Sequence, residues 1–186
     1  MGGGNGTAVT EFVLLGFSGS GSLRVPLFWG VLCVYLVTLL GNALIILLTL
    51  ADAGLRSPMY FFLRHFSVAE ILYTTTIVPR MLADLLSPCP TIPPASCFTQ
   101  LYFFALFGIA ECGLLTAMAC DRYVAICRPL HYATLMSQRA CAGMVGASYL
   151  MGVVTGTTHS ICIFTMPFRG ASTIHHFLCD ILPVLR

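Results

Sequence analysis

The sequence predicts an all-α membrane protein, a transmembrane helix bundle, from its composition, its apolar stretches and its arginine-bearing loops. Hydrophobic residues make up 58% of the 186 residues, charged residues only 9%, and the mean hydropathy is +0.90. Ordinary soluble domains carry about 25% charged residues, and disordered chains are poor in apolar residues. The net charge is only +2, and the basic residues form no patch or stripe in the sequence, so a nucleic-acid partner is not expected. The partner that this composition calls for is a lipid bilayer.

Four apolar stretches are long enough to cross the hydrocarbon core, which takes about 20 helical residues. The predicted transmembrane helices are 26–50, 59–83, 98–120 and 140–164, joined by loops at 51–58, 84–97 and 121–139, with 1–25 before them and 165–186 after them. The first and fourth helices contain no full charge. The second contains Arg64, Glu70 and Arg80, and the third contains Glu111.

Arginines in the short loops predict the orientation, because basic loops stay on the cytoplasmic side. The loop 121–139 carries Arg122, Arg128 and Arg139, whereas 84–97 carries no basic residue. We therefore expect an extracellular N-terminus, cytoplasmic loops at 51–58 and 121–139, and extracellular segments at 84–97 and 165–186. Asn5 opens the triplet Asn-Gly-Thr, which is a glycosylation acceptor on that outer side. The predicted location is the plasma membrane, as a multi-pass protein.

Ionisable residues inside a membrane span suggest function by default, because they are costly there. Glu70 and Glu111 lie within the second and third helices, and antiparallel neighbours can bring them to one depth together with Asn42. Two close carboxylates stay ionised only if they share a cation or a proton. One interpretation is therefore a sodium or proton site. The other is a pair of neutral acids hydrogen-bonded between helices.

The outer cysteines predict a disulfide. The topology places Cys97, at the start of the third helix, and Cys179, after the fourth, on the oxidising side, with Cys89 as a competing partner. His175 and His176 together with Cys179 form a weak metal-ligand set. A disulfide is the better assignment for Cys179, so neither a metal site nor a cofactor is predicted.

The triplet Asp121-Arg122-Tyr123 follows the third helix, where it allows two interpretations. In the first, Asp121 pairs with Arg122 and holds it inward until a partner displaces it. In the second, Arg122 is an anchor that reaches the lipid headgroups. The neighbouring residues favour the first.

Those neighbours form motifs that resemble the olfactory receptors of vertebrates, which belong to the rhodopsin-like seven-helix G-protein-coupled receptors. The stretch Met118–Cys127 (MACDRYVAIC), followed by Arg128–Tyr132 (RPLHY), is similar to the family signature around Asp-Arg-Tyr. Pro58–Leu63 (PMYFFL), Gly41-Asn42 and Phe12–Phe17 (FVLLGF) resemble further motifs of the family. The resemblance covers essentially the whole chain, which matches the first four helices of a seven-helix receptor fold.

The resemblance implies a role for each candidate residue. Arg122 would engage a heterotrimeric G protein, and Asp121 would restrain it at rest. Asn42, Glu70 and Glu111 match the polar core of the family, and Cys97 and Cys179 match its disulfide between the third helix and the second outer loop. The odorant pocket would be lined by four residues of the third helix: Phe104, Ala105, Gly108 and Ile109. Its apolar character suits small, volatile, hydrophobic odorants.

The predicted function is therefore an odorant receptor that binds its ligand in the helix bundle and signals through a G protein. The alternative is a truncated, non-signalling product that lacks helices five to seven and stays in the endoplasmic reticulum. A transporter or channel using Glu70 and Glu111 is a third class, and it lacks a detectable repeat between the helix pairs. No nucleophile-base set or phosphate loop indicates an enzyme.

Overall fold

The computed structural model describes residues 12–14, 23–55, 57–87, 91–92, 94–165 and 173–174. Its long helices are α1 (Arg24–Ala51), α2 (Pro58–Leu86), α3 (Pro94–Cys127) and α5 (Gln138–Thr165), while α4 (Tyr132–Leu135) is a single turn. Two short 3-10 helices cover Ala53–Leu55 and Pro129–His131. The predicted all-α helix bundle is thus confirmed, with each long helix enclosing one of the four predicted spans.

Prolines account for the ends of two of these helices. Pro58 takes the first position of α2, where its fixed φ suits a helix and its missing N–H costs nothing. Pro129 stops α3, because the residue before a proline is driven away from helical angles, and Arg128 has φ −138° and ψ 57°. With no breaker before that point, α3 continues for seven residues past the predicted span end at 120. Much of segment 121–139, predicted as a loop, is therefore helical.

Among the described residues, three helices are long and apolar enough to cross a membrane: Arg24–Ala51, Ala95–Cys127 and Gln138–Cys162. Helix α2 has the length, with 29 residues, but it carries Arg64, Glu70, Arg80 and Asp84. Arg80 and Asp84 neutralise each other in an ion pair of 3.0 Å one turn apart. That α2 spans the membrane therefore stays a prediction. It requires neighbouring helices to shield the remaining charged side chains of α2 from lipid.

The core lies between α2, α3 and α5. Its largest fully buried apolar side chains are Phe62 of α2 and Leu114 of α3, and α5 contributes Cys141 and Val145. Helix α1 has no buried residue, and its main packing partner is α2, with Tyr35 Oη 3.0 Å from Thr75 Oγ1. The apolar outer surface of α1 is what a lipid-facing helix requires.

Small residues allow α3 and α5 to pack closely, and this is the most extensive helix contact in the bundle. A Cβ on Gly152 would overlap the backbone carbonyl oxygen of Leu106, and one on Gly156 would lie 3.1 Å from the carbonyl oxygen of Tyr102. Close backbone approach through small residues is typical of membrane helices. The glycines therefore fix the distance between α3 and α5.

Three very short strands add a small sheet to the helices. β1 (Phe12–Leu14) lies in the centre, antiparallel to β2 (Thr91–Ile92) and parallel to β3 (Thr173–Ile174). Val13 is opposite Thr91 on one side and Thr173 on the other. The N-terminal segment thereby bridges the chain before α3 and the chain after α5.

Candidate functional site

The C-terminal end of α3 holds a buried carboxylate that is satisfied from the following loop. Asp121 is only 2% exposed, and the Tyr132 hydroxyl donates a 2.8 Å hydrogen bond to its Oδ1. Pro129 makes this contact possible, because it ends α3 and turns the chain into the 3-10 turn that leads to Tyr132. The partner of Asp121 is thus a tyrosine eleven residues later in the chain.

Arg122 is consequently available on the surface. It is exposed, and within the described part of the chain it forms no ion pair with Asp121. Ile126 lies one turn further along the same face of α3 and is 78% exposed, while Leu130 in the following turn is 94% exposed. Tyr123 is 61% exposed. We call Arg122, Tyr123, Ile126 and Leu130 the α3 end patch, which consists of one cation among bulky exposed side chains.

Tyr132 keeps its proton over the physiological range. Burial first, then the hydrogen bond to Asp121 and the charge of that carboxylate, together raise the pKa of its hydroxyl to about 12. Ionisation would place two negative charges side by side. The hydroxyl therefore remains a donor to Asp121 at any pH a cell experiences.

The structure brings Glu70 and Glu111 together, and among the described residues no hydrogen bond joins Asn42 to either of them. The two carboxyl groups are close enough across α2 and α3 to interact, and Glu111 Oε1 is buried without a hydrogen-bond partner among the described residues. Asn42 Nδ2 instead donates to the Thr38 carbonyl of its own helix at 2.9 Å. One acceptor oxygen of the pair is thus open to a proton or a cation.

Phe104 and Gly108 face α2 at Tyr73. The rings of Tyr73 and Phe104 have centroids 5.2 Å apart, and a Cβ on Gly108 would lie 3.5 Å from Tyr73 Cε2. Ala105 and Ile109, the other predicted pocket residues, are half-buried. Phe104, Gly108 and Glu111 follow helical spacing, so one stripe of α3 connects the aromatic pair to the carboxyl pair.

Some predicted site residues lie outside the described residues. Asn5 and Cys179 are among them, and so are His175 and His176. Cys97 is 3% exposed and disulfide-bonded, and its predicted partner is Cys179. In the described ranges no group of three or more His, Cys, Asp or Glu side chains is placed to hold a metal ion.

Three residues at these sites were not singled out from the sequence: Tyr73, Leu130 and Tyr132. Tyr132 and Leu130 belong to the quoted RPLHY motif, but no periodicity shows that the chain folds back onto Asp121. The signal that could have indicated this contact is Pro129, which ends α3 and starts a turn. Tyr73 lies three residues after Glu70, so helical spacing from Glu70 would have been enough to identify it.

Comparison with known proteins defines the class. The family model described as 7 transmembrane receptor (rhodopsin family) matches residues 41–185, which include both the carboxyl pair and the α3 end patch. The chain therefore belongs to the rhodopsin family of seven-transmembrane receptors, and it is a multi-pass membrane protein.

Within that family its relatives are olfactory receptors, which confirms the resemblance of the motifs. Over its full 186 residues the chain is 80% identical to Olfactory receptor 10P22 of Mus musculus, and it covers 60% of that protein. It is 62% identical to Olfactory receptor 10P1 of Homo sapiens, again covering 60% of it. Over 98% of the chain it is 50% identical to Olfactory receptor 10A5 of Homo sapiens, covering 58%. The chain thus spans about three fifths of these relatives, which are receptors and not enzymes.

Proposed function

We propose that this chain is the part of an odorant receptor that contacts both the odorant and the G protein, through opposite ends of α3. The observation that carries the proposal is the α3 end patch. Because Tyr132 binds the buried Asp121, Arg122 is left exposed. It lies beside Ile126 and Leu130, which are largely exposed to solvent. Exposed apolar residues around a cation are typical of a protein interaction site.

The ligand end of the proposal depends on the contact of α3 with α2. The Tyr73 and Phe104 rings and the bare backbone of Gly108 offer an apolar surface with a phenol nearby. Small-molecule sites combine mostly apolar lining with a few polar groups. A small, volatile, hydrophobic odorant is the ligand class that fits, with Ala105 and Ile109 contributing further apolar area.

The carboxyl pair of Glu70 and Glu111 supports a proposed cation or proton site between these two ends. Sharing a sodium ion or a proton would relieve the repulsion between the carboxylates, and the open oxygen of Glu111 supplies a ligand. Occupancy would favour the helix arrangement that keeps the pair together, because a ligand shifts an equilibrium towards the state that it binds better. The alternative remains a pair of neutral acids sharing a hydrogen bond.

In the proposed orientation the N-terminus is extracellular, Asn5 is glycosylated and the Cys97–Cys179 disulfide is extracellular. The α3 end patch lies on the cytoplasmic side of the plasma membrane. Digestion with a glycosidase tests it in cells that express the chain. We expect a mobility shift that Asn5→Gln abolishes and that Thr7→Ser preserves. An unchanged mobility of the wild-type chain would contradict the orientation of the N-terminus.

The experiment that tests the function replaces the matched region of the mouse relative with this chain and measures odorant-dependent cyclic AMP. The chimera should respond to small hydrophobic odorants in a concentration-dependent way. A chimera that reaches the cell surface and responds to no odorant of a panel that activates the mouse relative would contradict the proposal. The 186-residue chain alone is the parallel sample. Its silence beside a responding chimera would assign the chain itself the non-signalling role.

A further inference from the structure

A cavity separate from the sites above lies where the end of α1 and the starts of α2 and α5 meet. It encloses 490 Å³, and we call it the α2–α5 cavity. Buried Met136 and Cys141 contribute apolar lining, and exposed Ser57 and Gln138 contribute polar lining. A cavity with apolar and polar parts suits an amphiphile better than a wholly polar ligand.

Arg64 is the charged side chain among the described residues that line this cavity. The side chain lines the cavity and is half-buried, with its Cζ 5.5 Å from the centre of the Phe61 ring. No acidic side chain among the described residues lies within ion-pair distance of it, and the first turns of α2 and α5 contain no acidic residue. A half-buried guanidinium without a counterion favours an anion, and its planar donors match a phosphate.

The position of Arg64 along α2 indicates where that anion comes from. Arg64 is six residues after Pro58, which is about 9 Å along the helix axis. A side chain at that depth reaches back to the membrane interface while its stem lies among apolar groups. The lipid phosphates are at that level, and the acyl chains begin directly below them.

We propose that the α2–α5 cavity binds an anionic phospholipid of the cytoplasmic leaflet, with Arg64 holding the phosphate and the apolar lining holding the first part of an acyl chain. The assignment to the cytoplasmic leaflet rests on the orientation given under the proposed function. Anionic lipids are concentrated in that leaflet, and basic pockets between membrane helices on that side bind their headgroups. Binding would stabilise the contact of α2 with the start of α5.

Native mass spectrometry of the full chain in detergent, titrated with phosphatidylserine or phosphatidylcholine, tests the proposal. The wild-type chain should retain phosphatidylserine preferentially, and Arg64→Gln should weaken that binding about tenfold, as expected for the loss of one charge-assisted contact. Arg128→Gln, which removes an exposed charge outside this cavity, is the matched control and should bind like the wild type. Gln138→Trp keeps Arg64 but fills the cavity entrance, and it should lose the lipid as well.

Three results would overturn the proposal: equal retention of both lipids by the wild type, retention by Arg64→Gln equal to that of Arg128→Gln, or competition by soluble glycerophosphoserine as effective as by the lipid. The last would mean that the apolar lining takes no part. Neither odorant nor G protein enters this measurement, so its failure leaves the receptor proposal intact. The glycosylation test of Asn5 separately reports a failure of the orientation.

Discussion

Among the described residues, the Tyr132 hydroxyl is the side-chain donor that satisfies the buried carboxylate of Asp121. A carboxylate that is 2% exposed pays a large desolvation cost unless a donor satisfies it, and Tyr132 supplies that donor at 2.8 Å. The bond also determines what Arg122 can do, because a carboxylate engaged by tyrosine leaves the neighbouring guanidinium to other partners. At the residue scale, the chemistry at the C-terminal end of α3 therefore depends on Tyr132.

Replacing Tyr132 by Phe should destabilise the protein by about 1–3 kcal/mol, the cost of leaving a buried acceptor unsatisfied. Tyr123→Phe is the matched control, because Tyr123 is 61% exposed and its change should leave stability within about 0.5 kcal/mol. Thermal unfolding of the purified proteins in one detergent measures both. Equal stability of the two variants would show that the Tyr132 hydroxyl does not stabilise Asp121.

The same hydrogen bond predicts a dependence on alkaline pH. The pKa of Tyr132 is raised from 10.0 to about 12, so its contribution to stability is fully present below pH 10 and is lost as pH rises through about 12. The ultraviolet absorbance of tyrosinate should therefore include one group that titrates near pH 12 in the folded wild type. That late group should be missing from Tyr132→Phe, and an identical titration of both proteins would contradict the assignment.

Several residue-scale features could be predicted from the sequence, and others depend on the folded chain. Helical spacing was enough to bring Glu70 and Glu111 to neighbouring positions, because both lie mid-helix in antiparallel neighbours. It could not predict that Asn42 bonds to its own helix, since an amide can turn to either side. Nor could it predict Tyr132 as the partner of Asp121, which requires the path of an irregular turn.

At the element scale, the spacing of α3 and α5 depends on glycine. Gly152→Ala would force a methyl group against the Leu106 carbonyl, and overpacking of this kind costs about 1–3 kcal/mol. Gly146→Ala is the matched control, because nothing lies within 4 Å of a Cβ there, and a helical Gly-to-Ala change is otherwise favourable. Gly152→Ala should unfold at lower temperature than the wild type, and Gly146→Ala should not. The reverse order would contradict the packing of α3 against α5.

The carboxyl pair joins α2 and α3, and it predicts an effect of sodium on their packing. Sodium should raise the unfolding temperature of the wild-type protein above its value in the bulky cation N-methyl-D-glucamine at equal ionic strength. Glu111→Gln should remove that difference, because it deletes one carboxylate of the pair, whereas exposed Asp52→Asn should keep it. A wild-type protein that is indifferent to sodium would instead favour the neutral, hydrogen-bonded pair.

Element boundaries show where hydropathy is a sufficient guide and where it is not. Apolar stretches were enough to find the four long helices, since a membrane span needs about 20 apolar residues. They could not find the end of α3, because helices continue into water as far as the first breaker, here Pro129. The pairing of β1 with β2 and β3 was beyond prediction, because strands of two or three residues carry no measurable alternation.

On the scale of the whole molecule, α3 is the element that connects the proposed odorant contact, the carboxyl pair and the α3 end patch. It carries the aromatic contact with Tyr73, the carboxyl partner of Glu70, the close approach to α5 and the exposed patch at its end. A displacement of α3 relative to α2 and α5 would be felt at each of these places at once, because packed interfaces are bistable and do not deform continuously. This arrangement suits a receptor, whose two ligands bind at opposite ends of a bundle.

The central claim, that α3 contacts the odorant at one end and the G protein at the other, is tested most directly by odorant dose–response curves of the chimera. Phe104→Ala should raise the half-maximal odorant concentration about tenfold or more, because it removes apolar contact worth at least about 1.4 kcal/mol, and should leave the maximum unchanged. Arg122→Ala should lower the maximal cyclic AMP response at equal surface expression without that shift. Curves for both variants that superimpose on the wild type would contradict the claim.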